Sequence, residues 1–382
     1  MTQEQTPSVV THQEIQEFAL WEKMRTRRLL YSFQMEITAR CNNHCRHCYI
    51  NLPADDRAAQ RQELTLAEIS RIAGEAAELG AVRCLITGGE PLLRPDFGDI
   101  YLTLKRMGLL VSVFTNATLV RPEHVQLFKQ YPPRDIEVTV YGVTQGTYEA
   151  ISRRPGSFAA FRRGLDLLLD GGVRVRLKTM ALRSNLRELP EIDRFCESRT
   201  KDYYRYDAKL FLRLDGNPYR NAEIRAERLS LEDVVALDHT NIERSQAMHD
   251  HCEELTGLDR AKRDPDHIFA CGAGLWSFQL GYDGRYRLCT TLCAPGTTYD
   301  LRTGTVRDAF EHLVPRVRAL RSQRQEFLER CRRCPIINLC QWCPGNACLE
   351  TGELDGWVEG FCRVAHARAR ALGYDGQVPN GK

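Results

Sequence analysis

Short runs of β-branched residues alternate with amphipathic helical patterns from about residue 33 to residue 214. The pattern is clearest in LTLAEISRIAGEAAEL, where apolar residues recur at helical spacing and Thr65 with Glu68 predicts a capping box. Repeated βα units build a parallel sheet covered by helices. The predicted strands are Phe33 to Thr38, Arg83 to Thr87, Leu110 to Thr115, Ile136 to Tyr141, Val173 to Ala181 and Tyr206 to Leu214.

Six βα units are too few for a closed eight-stranded barrel. The sequence therefore predicts an α/β fold, a partial (β/α)6 TIM-type barrel that stays open on one side. We expect a bulky substrate to enter through that opening.

The cysteines define a second organising feature. The chain has 15 cysteines in 382 residues, three of them at 41 to 48 and nine between 271 and 362. In a reducing compartment such a set more often holds metal than forms disulfides. Of the three that stand apart, Cys84 and Cys196 are predicted to be small buried hydrophobes, and the role of Cys252 stays undecided.

A charged stretch at 216 to 265 separates the two cysteine-rich regions and is typical of helix and connector. Beyond it, SFQLGYDGRYRLC predicts a strand pair that turns at Asp283 and Gly284. The predicted organisation is an N-terminal extension at 1–32, the barrel at 33–225, a helical linker at 226–265, a small cysteine-rich α+β domain at 266–365 and a tail at 366–382.

Charge and hydropathy exclude several classes of protein. Lys and Arg total 53 against 50 for Asp and Glu, and the basic residues are scattered, so nothing points to nucleic acid as a partner. No stretch approaches the roughly 18 apolar residues of a membrane helix, and the first residues are too polar for a signal peptide. We expect a soluble cytoplasmic protein without a membrane partner.

The first cysteine cluster, EITARCNNHCRHCYI, follows the first predicted strand directly. This places CX3CX2C at the carboxyl end of a strand, where barrel folds carry their active sites. Three thiolates can hold three irons of a [4Fe-4S] cube and leave the fourth iron open. The alternative is a zinc site completed by His44 or His47, because three closely spaced cysteines do not identify their metal.

Motifs at two further strand ends bear on the choice between an iron–sulfur cluster and a zinc site. ITGGEPLL follows the second strand, where Gly88 and Gly89 are expected to expose backbone amides and carbonyls beside Glu90, and FTNATL ends the third. CX3CX2C, GGEP and FTNATL, in this order, resemble the radical S-adenosylmethionine (radical SAM) superfamily.

That resemblance implies a [4Fe-4S] cluster on Cys41, Cys45 and Cys48 whose open iron is chelated by the amino and carboxylate groups of S-adenosylmethionine. It implies that GGEP receives the amino group and that His47 packs near the adenine. Tyr141 and Thr179 are further strand positions able to reach the cofactor. The cofactor-binding residues predicted in this way are His47, Gly88, Gly89, Glu90, Thr115, Asn116, Thr139 and Lys178.

The second cysteine-rich region has CX12GX4C from Cys271 to Cys289 and CX2CX5C from Cys331 to Cys340, and it resembles the SPASM extension of that superfamily. The resemblance implies two auxiliary [4Fe-4S] clusters. The outer cluster would be held by Cys331, Cys334, Cys340 and Cys362, and the inner cluster by Cys271, Cys289 and Cys343.

This region departs from the SPASM pattern in two places. The last pair is CX2C rather than CX3C, so Cys348 is an alternative to Cys343, and no eighth cysteine lies just before Cys271. The fourth inner ligand is then Cys293 or Cys252, or an iron stays open. A zinc ribbon is the alternative for the whole region.

The activity implied is reductive cleavage of S-adenosylmethionine to a 5′-deoxyadenosyl radical that abstracts hydrogen from a substrate carbon. An electron donor such as flavodoxin or ferredoxin would be a partner. VTVYGVTQGTYEAISRRPGSFAAFRRGLDLL is similar to the peptide-maturase branch, so crosslinking, epimerisation or oxidation of a ribosomally made peptide or protein side chain is the leading function. About thirty residues precede the first strand, which argues against a separate N-terminal peptide-recognition domain.

Three alternatives remain. An enzyme acting on a small molecule or tetrapyrrole fits every motif, because the cysteines specify the radical generator and not its substrate. A sulfatase-maturase branch would have a carboxylate where this chain has Thr290, and GGEP beside CX3CX2C counts against a non-enzymatic zinc-binding module. No catalytic acid or base is predicted, although a polar pocket is possible around the sixth strand at Tyr203, Tyr204, Arg205, Asp207, Arg213 and Asp215.

Overall fold

A computed structural model of the chain describes residues 29–202, 205–240, 242–250, 266–340 and 342–374. Within these ranges nine strands form one sheet in the order β11-β10-β9-β1-β4-β5-β6-β7-β8, and β2 pairs with β3 in a separate two-stranded sheet. The strands are β1 (Ser32–Thr38), β2 (Arg40–Cys41), β3 (Leu52–Pro53), β4 (Arg83–Gly88), β5 (Leu110–Thr115), β6 (Asp135–Thr139), β7 (Val175–Met180), β8 (Arg205–Asp207), β9 (Ser277–Leu280), β10 (Arg285–Arg287) and β11 (Thr298–Asp300).

Helices follow the barrel strands and continue through the second cysteine-rich region. They are α1 (Arg57–Gln62), α2 (Leu66–Glu78), α3 (Phe97–Arg106), α4 (Pro122–Gln130), α5 (Gln145–Ser152), α6 (Ser157–Asp170), α7 (Leu189–Arg199), α8 (Pro218–Glu227), α9 (Leu231–Thr240), α10 (Ile242–Asp250), α11 (Val306–Asp308), α12 (Val314–Arg318), α13 (Pro344–Thr351) and α14 (Glu359–Ala371). The capping box predicted at Thr65 and Glu68 begins α2.

Six parallel strands, β1 and β4 to β8, confirm the predicted (β/α)6 partial barrel. Strand residues such as Met35, Ile86 and Val113 are buried, since the strands pack against helices as well as against one another. The helix stripe facing them in α2 is also fully buried, with Ile69 and Ile72 at 0% exposure. The carboxyl ends of the parallel strands therefore converge at one rim of the barrel.

The sixth strand is shorter than predicted. It ends at Asp207 instead of Leu214, because the Asp207 side chain accepts a hydrogen bond from the backbone amide of Lys209 at 2.8 Å and turns the chain. Further along, the backbone amide of Arg213 donates to the Asn221 side chain rather than to a strand. Residues 208–214 are consequently a loop beside the rim of the barrel.

The β1 edge of the partial barrel is covered by strands from the second cysteine-rich region. Strand β9 from the second cysteine-rich region pairs in parallel with β1, placing Leu280 opposite Met35, and β10 and β11 extend the sheet antiparallel. The predicted turn is confirmed, with Gly284 at φ +84° between β9 and β10. The stacked rings of Phe33 and Phe278, 5.4 Å apart, pack at this junction. Within the described ranges, β8 is the strand that lacks a second neighbour in the barrel.

Two buried ion pairs join the second region to the rest of the molecule. Arg287 on β10 donates to the fully buried Glu36 on β1. Arg368 on α14 donates to Asp238 on α9 at 2.7 Å, with both side chains at 8% exposure or less.

The domain division at 226–265 stays a prediction. Its described part forms α9 and α10, while the predicted 1–32 extension, the linker and the tail lie partly outside the described residues. No helix in the described part of the chain combines the length and apolar character needed to cross a bilayer.

Candidate active site

The first three cysteines lie on the loop that follows β1. The two-residue pairing of β2 with β3 closes the base of this loop, so that residues 42 to 51 project over the rim of the barrel. Cys41 and Cys45 are buried and Cys48 is half-buried. Burial, together with the neighbouring thiols, raises the pKa of Cys41, and it raises that of Cys45 to about 12. The thiols of Cys41 and Cys45 are therefore stable as thiolates only beside a positively charged group such as the iron atoms of a cluster.

A cavity of about 450 Å³ opens beneath the cysteine loop at the carboxyl ends of the strands. Its size is that of a small-molecule site. The structure brings all three cysteines and seven of the eight predicted cofactor residues to its walls: Cys41, Cys45, Cys48, His47, Gly88, Gly89, Thr115, Asn116, Thr139 and Lys178.

Glu90 is the exception, because its side chain is fully buried behind the cavity wall. Its carboxylate accepts hydrogen bonds from the Thr115 hydroxyl at 2.7 Å and from the backbone amides of Asn116 and Leu92 at 2.8 and 3.1 Å. Burial raises the pKa of Glu90 to about 7, although these three donors lower it. Glu90 therefore fastens the end of β5 to the turn after β4.

The two glycines of the turn are required for close backbone packing. A Cβ on Gly88 would lie 2.1 Å from the carbonyl oxygen of Thr38, and one on Gly89 would lie 2.3 Å from that of Arg40. The expectation that Gly89 exposes a free amide is wrong, since its N–H donates to the Thr38 carbonyl at 2.7 Å. The turn after β4 is thus locked to the start of the cysteine loop.

His47 carries an unused polar atom into this site. Its Nδ1 is buried and has no hydrogen-bond partner among the described residues, and its ring meets the Tyr141 ring edge-on at 5.4 Å. Burial, with the nearby Arg220 and Lys178, lowers the pKa of His47 to about 4. A neutral imidazole with a free nitrogen suits a ligand that offers hydrogen bonds and an apolar ring.

Asn116 links the cysteine loop to the end of β5. Its amide nitrogen lies 3.8 Å from the Cys41 sulfur and donates to the Asn42 side chain at 3.0 Å. Asn42 in turn donates to the Thr118 hydroxyl at 2.7 Å. A second cavity residue, Asn43, has both side-chain polar atoms buried without a partner in the described structure. These amides fit a polar ligand above the cysteines.

Lys178 provides the positive charge on the opposite wall. Its ammonium lies 2.7 Å from a carboxylate oxygen of Glu137 and 3.7 Å from the centre of the Phe114 ring. The side chain is thereby held at the cavity wall. A carboxylate-bearing ligand would find a cation there.

Two arginines support the cysteine loop from outside the cavity. Arg220 on α8 donates to the Cys45 carbonyl at 2.7 Å and contacts the His44 ring at 3.2 Å. Arg213 donates to the Asn51 carbonyl at 3.1 Å while paired with Asp215. Sequence reasoning missed Arg220, because nothing in the pattern of α8 indicates which loop it touches.

The polar pocket predicted around the sixth strand forms only in part. Asp207 lines the cavity, together with Lys209, Leu210 and Phe211 from the loop that replaces the end of that strand. Arg213 and Asp215 instead pair with each other behind the cysteine loop. Tyr203 and Tyr204 and the side chain of Arg205 lie outside the described residues.

Four cysteines of the second region surround one small cavity. It lies between the helical turns at 327–340 and the start of α14, and its walls include Trp342 and Trp357. Burial and the neighbouring thiols raise the pKa of Cys331 to about 12 and that of Cys340 to about 11. The cysteines are those predicted for the outer cluster: Cys331, Cys334, Cys340 and Cys362.

The inner set is arranged less regularly. Cys289 interacts electrostatically with Cys343 and Cys293, and Cys293 also interacts with Cys348. The loop that carries Cys289 and Cys293 contacts the start of α13, because a Cβ on Gly345 would lie 2.5 Å from the Thr291 hydroxyl. Cys271 is exposed, and its carbonyl accepts a hydrogen bond from Arg318 at 2.7 Å.

The remaining cysteines behave as small core residues or fall outside the described chain. Cys84 and Cys196 are buried in the main hydrophobic core, at 1% and 0% exposure. Cys252 lies in 251–265, which the structure does not describe. In the described ranges, no three Cys, His, Asp or Glu side chains are spaced to hold a single metal ion.

The fold and site together define a partial-barrel α/β protein with a three-cysteine loop above a cavity at the strand ends. Residues 35–196 match the family description of the radical SAM superfamily. These residues therefore form a radical SAM domain, a kind of domain that implies a [4Fe-4S] cluster and S-adenosylmethionine.

Individual relatives cover different parts of the chain. An AdoMet-dependent heme synthase of Methanosarcina barkeri is 30% identical over 154 residues, which are 40% of this chain and 43% of the relative. The antilisterial bacteriocin subtilosin biosynthesis protein AlbA of Bacillus subtilis is 25% identical over 318 residues, 81% of this chain and 66% of AlbA. The chain thus spans less than half of the first relative and about two thirds of the second.

A solved structure shares the fold over most of the chain. Streptococcus suis SuiB, crystallised with its precursor peptide SuiA, superposes with a TM-score of 0.66 at 14% identity. The superposition covers 89% of this chain and 78% of SuiB, so it includes the second cysteine-rich region.

Proposed function

We propose that this protein is a radical SAM enzyme that modifies a ribosomally made peptide or a protein side chain. Cys41, Cys45 and Cys48 would hold a [4Fe-4S] cluster, which would supply the electron for reductive cleavage of S-adenosylmethionine to methionine and a 5′-deoxyadenosyl radical able to abstract hydrogen from a substrate carbon. The observation that carries the proposal is the cavity in which the three thiols meet His47, Asn116 and Lys178.

The residues of the cavity fit the cofactor by chemistry and by space. Asn43 and His47 offer buried polar atoms without partners in the described structure, and Lys178 offers a cation to a carboxylate. Thr115 and Thr139 add hydroxyl-bearing side chains at neighbouring strand ends. Glu90 has a different role in this proposal, because it positions Thr115 and Asn116 from behind the wall and does not touch the ligand.

The protein's own contribution is to hold the reactants and to exclude water. Precise placement lowers the barrier to hydrogen abstraction more than acid or base chemistry would. The cysteine loop is held to the barrel by the turn at Gly88 and Gly89 and to α8 by Arg220. These contacts would keep the site rigid enough to hold a target carbon close to the radical.

The second region is proposed to carry two auxiliary [4Fe-4S] clusters. Cys331, Cys334, Cys340 and Cys362 supply four thiols around one cavity for the outer cluster. For the inner cluster the proposed ligands are Cys271, Cys289 and Cys343, with Cys348 as the alternative to Cys343. Cys293 is the proposed fourth ligand, with Cys252 or an open iron as the alternatives. An external donor such as flavodoxin or ferredoxin would deliver the electrons.

A peptide substrate is supported by the relatives that span most of this chain. AlbA is a bacteriocin biosynthesis protein and SuiB binds a precursor peptide, and both cover more than 80% of this chain. The cavity is also lined by Asp207 and Lys209, beside the edge of β8 that pairs with no other strand of the described ranges, where an extended peptide can approach.

A tetrapyrrole or other small molecule is the second candidate, favoured by the similarity of the barrel to an AdoMet-dependent heme synthase. The two candidates differ in which compound gives up hydrogen. Deuterium placed on the substrate carbon would appear in 5′-deoxyadenosine only with the true substrate class. Where a short reading frame neighbours the gene, the peptide that it encodes is compared with a tetrapyrrole.

The direct test is iron content and 5′-deoxyadenosine formation after anaerobic reconstitution. Wild type is expected to bind about twelve irons and the variant Cys41→Ala/Cys45→Ala/Cys48→Ala about eight, with dithionite-driven cleavage lost only in the variant. Cys196→Ala is the matched control, since this cysteine is buried in the core away from the cavity. Zinc in place of iron and no 5′-deoxyadenosine from wild type would overturn the proposal.

A further inference from the structure

Lys209 occupies a place between the active cavity and both cysteine sets of the second region. It lies on the loop that replaces the predicted end of the sixth strand, and its side chain lines the cavity beside Phe211. Its ammonium lies 5.9 Å from the centre of the Phe211 ring and 5.5 Å from that of Phe361. Phe361 immediately precedes Cys362 on α14, so the charge bridges the cavity wall and the outer cysteine site.

The same ammonium also interacts electrostatically with cysteines of both sets. Burial lowers the pKa of Lys209, while Cys343, Asp207 and Cys340 raise it and Arg368 lowers it. Cys343 has the largest of these electrostatic effects, and Cys343 also interacts with Cys289 of the inner set. Two cysteines, one from each set, therefore share a single half-buried cation.

A fixed cation beside an iron–sulfur cluster changes its redox balance. Reduction adds one electron, and hence one negative charge, which a nearby ammonium stabilises. Two arginines also lie in this region: Arg330 lines the outer cysteine cavity, and the guanidinium of Arg368, which acts electrostatically on Lys209, is held by its buried pair with Asp238. The rings of Phe211 and Phe361 hold the Lys209 ammonium between the cavity and the cysteines, so its charge acts from a defined place.

We propose that Lys209 tunes the auxiliary clusters by raising their reduction potential, and so couples their redox state to the active cavity. The inference rests on the proposed auxiliary clusters. A substrate or product that fills the cavity beside Lys209 would change the water around this charge and with it the potential of the cluster next to it.

The test compares wild type with the neutral variants Lys209→Gln and Lys209→Met and with Lys209→Arg, which keeps the charge. Lys129→Gln is the matched control, because Lys129 is exposed on α4. Iron content is measured on each reconstituted protein, and cluster potentials are read by anaerobic titration followed by electron paramagnetic resonance. Both neutral variants are expected to keep all iron and to show a more negative potential for one auxiliary cluster, with a smaller shift for the other. Lys209→Arg and the control are expected to match wild type.

The possible failures are distinguishable. Full iron with unchanged potentials in both neutral variants would overturn the role of Lys209 and leave the proposed function intact. Loss of auxiliary iron in both neutral variants would overturn it too, by making Lys209 a structural support. Wild type that binds about four irons in place of about twelve would refute the auxiliary clusters themselves, and the inference with them.

Discussion

The carboxylate of Glu90 accepts a hydrogen bond from the backbone amide of Asn116 at 2.8 Å, although the two residues lie on the turns after different strands. The side chain of Asn116 reaches the Cys41 sulfur at 3.8 Å. The Glu90 side chain is thus connected to Cys41 through Asn116, although it lies outside the cavity.

The ionisation of Glu90 predicts a pH dependence of stability. In the unfolded chain this glutamate has its ordinary pKa of 4.5, and burial in the folded protein raises the pKa of Glu90 to about 7. Between these values the folded state binds more protons than the unfolded state, so this group makes wild type less stable as the pH rises. Relative to Glu90→Gln, wild type should lose about 2 kcal/mol between about pH 5.5 and pH 8.

Anaerobic thermal unfolding of the reconstituted protein at several pH values measures this difference. Glu123→Gln is the control, because Glu123 belongs to an exposed pair with Arg121 and should not alter the slope. Identical slopes for wild type and Glu90→Gln would show that Glu90 stays ionised throughout this range.

Substitution of the turn glycines should prevent cluster assembly. Gly88→Ala and Gly89→Ala each push a methyl group into a backbone carbonyl at 2.1 to 2.3 Å, and Gly88 also has φ +139°. The turn must move away from the cysteine loop, so we expect loss of at least the roughly four irons of the first site. Gly74→Ala in α2 is the control, since nothing lies within 4 Å of the added carbon.

Iron content and thermal stability report this effect together. Gly74→Ala should be neutral or more stable by up to about 1 kcal/mol, as expected for a helical glycine. Normal iron in Gly88→Ala would mean that the packing of this turn is not needed for assembly of the site.

Breaking the buried pair between Arg368 and Asp238 should destabilise the second region. Asp238→Asn leaves the Arg368 guanidinium buried with its charge uncompensated, which costs about 3–5 kcal/mol. We expect a lower unfolding midpoint and faster loss of outer-cluster iron to a chelator. Glu191→Gln disrupts the exposed pair with Arg194 and should change neither quantity measurably.

Single substitutions can identify which cysteines hold the inner cluster. If Cys293 is a ligand, Cys293→Ser should alter the inner-cluster signal or lower iron by up to about four, whereas Cys84→Ser should leave both unchanged. Cys343→Ser and Cys348→Ser then decide between these two alternative ligands. An unchanged inner-cluster signal in Cys293→Ser would exclude this cysteine and return the choice to Cys252 or an open iron.

Much of the fold follows from local pattern. The alternation of β-branched runs and helical stripes predicted six parallel strands, and the start of α2 followed from Thr65 and Glu68. Cys331, Cys334, Cys340 and Cys362 were grouped from spacing and resemblance before the structure brought them to one cavity. These features persist because each depends on residues close in sequence or on a periodicity that burial enforces.

Other features depend on contacts between distant parts of the chain. The length of the sixth strand was overestimated, because the turn made by Asp207 outweighs the apolar run that follows. Nothing in the local sequence indicates that Lys209 lines the cavity or that Arg220 contacts the cysteine loop.

The sequence by itself determined the cysteine loops, the glycine turn and the order of strands, since these are set by residue chemistry and by periodicity. Only the tertiary structure decided that β9 closes the β1 edge, that Glu90 stands behind the cavity and that Lys209 lies between the cavity and two cysteine sets. The physical reason is that burial and charge are properties of the assembled surroundings. Neither property can be read from a single residue in the sequence.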